Sequence, residues 1–316
     1  MAKKRASQAP VLLVYVMTML VCLVIFGSAA VVLLDVFVTQ PREEREREQQ
    51  MLENKQEVVV EEVDYSLSRR TILFVGAEGE KLNGIALLRI MPDTYSVKLV
   101  PISTRTVCEV GGTTETIATH FKNGGMNYLM NAVKDTFDIE FDKYIKISNN
   151  GWNRLVEYFG GTTSYVFPQD LYYKDEVTGE LTSFTKGQST RTLWGDDIRK
   201  IVTYPLYEGG DETATRVLAE ITTSLINNGC YSYKDTIISN MQNIFNTIFN
   251  NSDTDITTQS FKEQRDAYEH LVENAGLTVC SYRMPGGSWD ARGNFNTSED
   301  FKAELKEYFE LVSSEE

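Results

Sequence analysis

Residues 70–102, RTILFVGAEGEKLNGIALLRIMPDTYSVKLVPI, decide the fold. Arg70–Gly76, Gly84–Ile90 and Ser96–Ile102 are short apolar runs rich in Ile, Leu and Val, each bounded by Gly, Pro, Asp or Asn. Runs of that length with those borders read as β-strands, since a helix buried on all sides would run longer. Pro92-Asp93-Thr94 supplies a turn, so the second and third runs fold back as an antiparallel hairpin.

Downstream the apolar period changes. Met126, Leu129, Met130, Val133 and Phe137 fall on one face of a helix from Met126 to Phe137. A strand at Tyr144–Ile147 follows, then a helix from Gly151 to Phe159 stopped by Gly160-Gly161. Tyr165–Pro168 reads as another strand, and helices are expected near Asp196–Val202 and from Asp211 to Asn228. Strands alternating with helices imply an α/β fold, a layered α-β-α domain with a mixed central sheet. This core domain is assigned to residues 68–228. Residues 229–316 form an extension packed on it: Ser232–Asn274 is helical, Leu277–Pro285 is a returning strand, and Asp300–Val312 is an amphipathic helix carrying Phe301, Leu305 and Phe309.

Upstream, Val11–Leu34 contains no charged residue. As a helix it is about 36 Å long at ~1.5 Å per residue, enough for a hydrocarbon core of ~30 Å. One transmembrane helix is therefore expected ahead of the domain. Lys3, Lys4 and Arg5 precede it, which puts residues 1–10 in the cytoplasm and the main domain outside the plasma membrane. Gly27-Ser28-Ala29-Ala30 offers a signal-peptidase-like site, but the apolar run is longer than a cleaved signal needs. Retention as an anchor is the reading. The charge-dense stretch of residues 35–67 reads as a helical stalk.

Lys and Arg number 31 against 45 Asp and Glu, giving a net charge of −14 and a pI near 4.8. A chain of that sign is not built to grip a phosphate backbone, so nucleic acid is excluded as a partner. His120 and His270 are the only histidines, and no HExxH, GxSxG or Walker loop occurs. Cys108, Cys230 and Cys280 have neither metal-knuckle nor CxxC spacing and read as small buried hydrophobes; one disulfide among them is the alternative.

An anchor, a stalk and RTILFVGAEGEKLNGIALLRIMPDTYSVKLVPISTRTVCEV together resemble the opening of the LytR-CpsA-Psr family, with its GxD, RSDTIML, NPxT and SIPRDT segments. The resemblance continues through NGGMNYLMNAVKDTFDIEFDKYIKISNNGWNRLVEYFGG, TKGQSTRTLWGDDIRKIV and GGDETATRVLAEI. It implies an extracytoplasmic phosphotransferase of bacterial cell-envelope assembly. Such an enzyme takes a glycopolymer from a polyprenyl-(pyro)phosphate carrier and attaches it to peptidoglycan, with Mg²⁺ and arginines holding the pyrophosphate. The transcriptional labels such domains sometimes carry are opposed by the anchor and the acidic balance.

The family's charged positions are degenerate here. Glu78 stands at the GxD position and Lys81-Leu82-Asn83-Gly84 at RSDT, so the resemblance implies Glu78 and Asn83 as metal ligands and Lys81 in place of a catalytic arginine. An amide brings Mg²⁺ an oxygen without charge, and Lys cannot make the bidentate phosphate fork. The PRDT position reads Ser103-Thr104-Arg105-Thr106. Arg105 falls one residue late, which on a regular strand turns it to the opposite face. Arg216 matches a helical arginine, making Arg105, Arg216 and Lys81 the catalytic candidates, with Arg191 and Arg199 as substrate-binding spares. Two readings stay open: a glycopolymer transferase, and a catalytically inactive binding or scaffold protein that partners an active relative.

Overall fold

Fourteen strands and eight α-helices are set out in a computed structural model, which describes residues 63–163, 165–174 and 179–311. In chain order the strands are β1 (Arg70–Glu78), β2 (Lys81–Met91), β3 (Ser96–Ile102), β4 (Val107–Val110), β5 (Thr113–Thr116), β6 (Lys143–Ile147) and β7 (Val166–Phe167). They continue with β8 (Leu171–Lys174), β9 (Leu181–Phe184), β10 (Gly187–Gln188), β11 (Ser252–Thr254), β12 (Cys280–Tyr282), β13 (Gly287–Trp289) and β14 (Phe295–Thr297). The helices are α1 (Ile117–Phe137), α2 (Asn149–Tyr158), α3 (Gly195–Val202), α4 (Gly210–Ser232), α5 (Lys234–Ser239), α6 (Met241–Asn251), α7 (Thr258–Asn274) and α8 (Glu299–Tyr308).

Six strands form the central sheet in the order β11-β6-β1-β2-β3-β12. β1, β2 and β3 pair antiparallel, whereas β6 joins β1 and β12 joins β3 in parallel, so the sheet is mixed. Side chains alternate across a strand, and that alternation builds two cores. Leu73, Val75, Ala77, Ile85, Leu87, Val100 and Ile102 face α1 and α8, where Leu129, Val133, Phe137, Phe301 and Leu305 close the layer. Ala86, Leu88, Ile90, Val97 and Leu99 face the opposite layer, made of α4 to α7. The α/β, α-β-α architecture read from the sequence is thus present.

The differences have local causes. Strand Tyr165–Pro168 shrinks to β7 and pairs only with β10, away from the central sheet. Helix α1 begins nine residues earlier than expected, at Ile117, because Thr116 caps it and Gly125 at φ +63° lets the backbone kink where a sequence reading stops. Gly160 and Gly161, at φ +72° and +67°, end the chain's run beyond α2 as expected. Ser232–Asn274 splits into α5, α6 and α7, and β11 between the last two adds an edge strand against β6.

The expected cytoplasmic segment, the expected membrane anchor of residues 11–34 and the expected stalk up to residue 62 lie outside the described residues. No helix among the described residues is long and apolar enough to cross a membrane.

Candidate functional site

β1 and β6 end, β2 begins and β3 ends at one end of the sheet, as their registers require. A β-bulge shapes this end: Gly76 pairs with Gly84 but Ala77 with Leu82, leaving Asn83 as the extra residue. An unbulged β2 would put Leu82 on the α2–α4 side and Asn83 on the α1 side. With the bulge, Leu82 packs into the α1 core and Asn83 turns toward α2. There Asn83 Nδ2 donates to Asn149 Oδ1 at 2.8 Å, and the Asn149 backbone N–H donates to Glu78 Oε2 at 3.1 Å. Glu78 therefore sits on an unpaired N–H at the start of α2, where a carboxylate is favoured.

Behind this polar trio opens an apolar cleft, narrow inside and open to solvent, with about 600 Å³ of empty space once the solvent at its mouth is included. Its floor is the sheet face at Phe74, Gly84, Ala86 and Leu88; its walls are Trp152 of α2, Ile198 and Val202 of α3, and Leu218 of α4. Trp152 is fixed by its indole N–H, which donates to the Gly195 carbonyl at 3.2 Å. Arg199 supplies the charged side chain of the lining.

Asn83 and Arg199 thus both line the cleft, and Glu78 is tied to it through the Asn149 N–H. Lys81 lies opposite Glu78 in the β1–β2 register and is exposed. Arg191 lies elsewhere, paired bidentately with Asp197 at 2.5 and 2.7 Å and stacked over the Phe184 ring. Arg199 is held by Asp196 at 2.5 Å. Arg105 belongs to the turn after β3, where its N–H donates to Ser103 Oγ, so strand alternation does not set its direction. Its guanidinium is taken up by Asp211 and the loop of residues 292–294. Arg216 is the one of these four arginines without a carboxylate partner; it donates to Thr213 Oγ1 at 3.3 Å and lines a second, polar pocket.

The residues at the cleft fit a resident Mg²⁺ poorly. Among the described residues no cluster of three His, Cys, Asp or Glu side chains is placed to hold a metal. Glu78 is the single carboxylate of its trio, one of its oxygens is committed to Asn149, and Asn83 turns its amide N–H₂ rather than its oxygen to Asn149. A hard divalent cation asks for several anionic oxygens.

The arrangement sets an apolar surface beside a polar group at the sheet end, the place where α/β sheets bind ligands. The LytR_cpsA_psr family profile matches residues 36–307. The chain belongs to this family. TagU of Halalkalibacterium halodurans, a polyisoprenyl-teichoic acid–peptidoglycan teichoic acid transferase, is 30% identical over 102 residues, covering 31% of this chain and 33% of that protein. The match thus spans a third of that relative's length. Among solved structures, a protein of Eubacterium siraeum described as a transcription regulator superposes with a TM-score of 0.65 at 17% identity, covering 78% of this chain and 93% of that one. TagV of B. subtilis gives 0.60 at 18% identity over 77% and 97%. TagT bound to LI-WTA gives 0.56 at 13% over 80% and 93%. At these identities the structures show a shared fold.

Asn149, Ser148 and Trp152 escape a reading of the sequence. The signal is nonetheless in the order Ile147-Ser148-Asn149-Asn150-Gly151: a strand ends, a Ser caps the helix, and the next residue faces the sheet end.

Proposed function

We propose that this LytR-CpsA-Psr protein works on the outer face of the plasma membrane, anchored through residues 11–34, where it binds a polyprenyl-(pyro)phosphate-linked glycopolymer and passes it to peptidoglycan by phosphoryl transfer. The apolar cleft carries this reading. Isoprene units gain roughly 25 cal/mol for each Å² removed from water, and the Phe74, Ala86, Leu88, Ile198 and Leu218 walls offer such a surface. The phosphate head then falls at the sheet end, beside Glu78, Asn83, Asn149 and their neighbour Lys81. Arg199 is the cation within the cleft, released to phosphate if Asp196 passes to Lys200, which already pairs with it at 2.9 Å. Positioning and charge neutralisation are what phosphoryl transfer asks of a protein.

A second reading, carrier binding without transfer, is favoured by one observation. Arg105, Arg191 and Arg199 are each neutralised by an aspartate, and an amide stands where the family has a carboxylate. Such a protein would serve an active relative or an envelope-assembly partner.

Calorimetric titration of the full-length chain in detergent with polyprenyl pyrophosphate, followed by an assay for released polyprenyl phosphate with a peptidoglycan acceptor, separates these outcomes. Binding with release supports the transferase; binding without release supports the carrier-binding protein. If the lipid does not bind, both readings fall.

A further inference from the structure

Helix α4 separates two compartments. At 100° per residue, Leu218 and Thr222, which line the apolar cleft, lie on the side opposite Thr213, Arg216, Val217, Glu220 and Ser224. The latter face a second pocket of about 1220 Å³, open to solvent and completed by Tyr165, Pro168, Gln169 and Glu208.

The chemistry of this pocket differs from that of the cleft. Arg216 and Glu220 stand one helical turn apart, yet they form no ion pair with each other or with any other described residue. Arg216 makes a single long hydrogen bond to Thr213. Glu220 is addressed by two tyrosine hydroxyls, Tyr165 O–H to Oε2 and Tyr282 O–H to Oε1, each at 3.5 Å. These bonds orient the carboxylate from two sides without neutralising it. Burial and the Glu220 charge both push the Tyr165 and Tyr282 hydroxyls above the ordinary phenol value, so they remain donors. The remaining polar groups are used internally. Gln169 bridges the Leu206 carbonyl and the Glu208 N–H, and Ser224 bonds Thr162.

A guanidinium and a carboxylate exposed to one pocket, and unpaired there, ask for a ligand with both signs of charge. We propose that this pocket binds a zwitterionic amino-acid head group, its carboxylate on Arg216 and its ammonium on Glu220, with Glu208 at the rim as a second acceptor for the ammonium. A purely anionic ligand would meet two carboxylates, and a purely cationic one would leave Arg216 unused. Neither suits the pocket as well. This site does not depend on the lipid reading of the cleft, since the two share no lining residue.

The test is a titration of the full-length chain in detergent, followed by saturation-transfer NMR and calorimetry. Glycylglycine is the probe, with N-acetylglycine, which lacks the ammonium, and glycinamide, which lacks the carboxylate, as comparison arms. Glycylglycine is expected to bind, and each comparison compound to bind roughly tenfold more weakly or worse, as the loss of one charge-assisted contact implies. Arg216→Gln and the isosteric Glu220→Gln should each lower the affinity for glycylglycine by a similar factor, with thermal unfolding midpoints unchanged to show that the fold is intact. Equal binding of N-acetylglycine would make the pocket an anion site, and equal binding of glycinamide a cation site; either overturns the proposal. No binding of glycylglycine, or binding insensitive to both substitutions, overturns it as well. Competition by polyprenyl pyrophosphate is measured separately, so failure of this site leaves the cleft reading untouched.

Discussion

Asp211 Oδ2 lies 3.2 Å from Arg105 Nε, and the same guanidinium donates to the carbonyls of Gly293 and Arg292 and to Asn294 Oδ1. The loop it grips is itself closed by Asp290, whose Oδ1 accepts from the Arg292 and Asn294 N–H groups at 2.8 Å each. Arg105 therefore ties the β13–β14 hairpin to the start of α4. In Arg105→Ala the hairpin loses three hydrogen bonds to a charged donor, and a destabilisation of about 1–3 kcal/mol is expected from urea unfolding. Amides of residues 287–297 should exchange faster in the variant. Burial holds the Asp211 carboxyl above its ordinary value and Arg105 opposes that shift. A raised carboxylate costs stability once it ionises, so the penalty of Arg105→Ala grows as pH rises from 4 to 7. An arginine serving only the phosphate would leave unfolding unchanged at both values.

The cleft depends on Gly84. A Cβ built there lies 3.1 Å from Leu218 Cδ1, so any larger residue pushes Leu218 into the cleft. Gly84→Val suits a strand, and β-branching favours the backbone it already has. The expected result is an unfolding midpoint within a few degrees of the parent and at least a tenfold loss of polyprenyl pyrophosphate affinity by calorimetry. Undiminished affinity would mean that the chain binds elsewhere.

At the far end of the sheet, Arg69 holds Asp93 through Nε and Nη2 at 2.9 and 2.6 Å and reaches Glu310 beyond α8. The Arg69 hydrogen bond is the first cause that draws the Asp93 carboxyl below its ordinary value; Lys98 leads for Glu310. Carboxylates depressed by folding stabilise the fold above their unfolded values, and that contribution fades as pH falls through the folded ones. Asp93→Asn should cost about 1.5–3 kcal/mol at pH 7 and progressively less below about pH 4. Parallel chemical unfolding curves at pH 7 and pH 3 check this. A gap that stays constant between the two would assign the loss to packing.

Much of the core was legible because it is local. Leu73, Val75, Leu87 and Val100 alternate along strands long enough to show their period, and Pro92-Asp93-Thr94 forms the turn between β2 and β3. Elements of three or four residues, such as β4, β5, β11 and β13, carry too few side chains for a period to appear. The site is less legible still. Its geometry comes from the bulge at Asn83, which reverses the faces of Leu82 and Asn83, and from pairings such as Arg105 with Asn294, 189 positions apart. Spacing along the chain records neither.

The three described thiols offer a probe of folding. Cys108, Cys230 and Cys280 are free and buried, and burial raises them to about 11, 12 and 12 respectively. Thiolate is the reactive form, so iodoacetamide at pH 8 should label none of these three in the folded chain within minutes and all of them in denaturant. Mass spectrometry of peptides reads the result. Rapid labelling of Cys280 in the native chain would show that β12 detaches from β3.

The last test concerns charge beside Glu78. Asn83 occupies the bulge with its amide N–H₂ on Asn149 Oδ1, leaving Glu78 as the only carboxylate of the trio. Asn83→Asp is isosteric and places a second carboxylate within the same trio. That change has two opposing effects. It removes the donor to Asn149 and sets two negative charges side by side, which lowers stability in metal-free buffer by about 1–2 kcal/mol. It also creates the anionic pair that a hard divalent ion requires. Millimolar MgCl₂ should therefore leave the unfolding midpoint of the parent chain nearly unchanged and raise that of Asn83→Asp by several degrees, as ligand linkage demands for an ion bound only by the folded state. Calcium and sodium chloride at matched ionic strength separate a specific site from screening. If the parent is stabilised by Mg²⁺ as strongly as the variant, Glu78 and the surrounding amide oxygens already suffice, and the bulged asparagine is a ligand rather than a substitute for one.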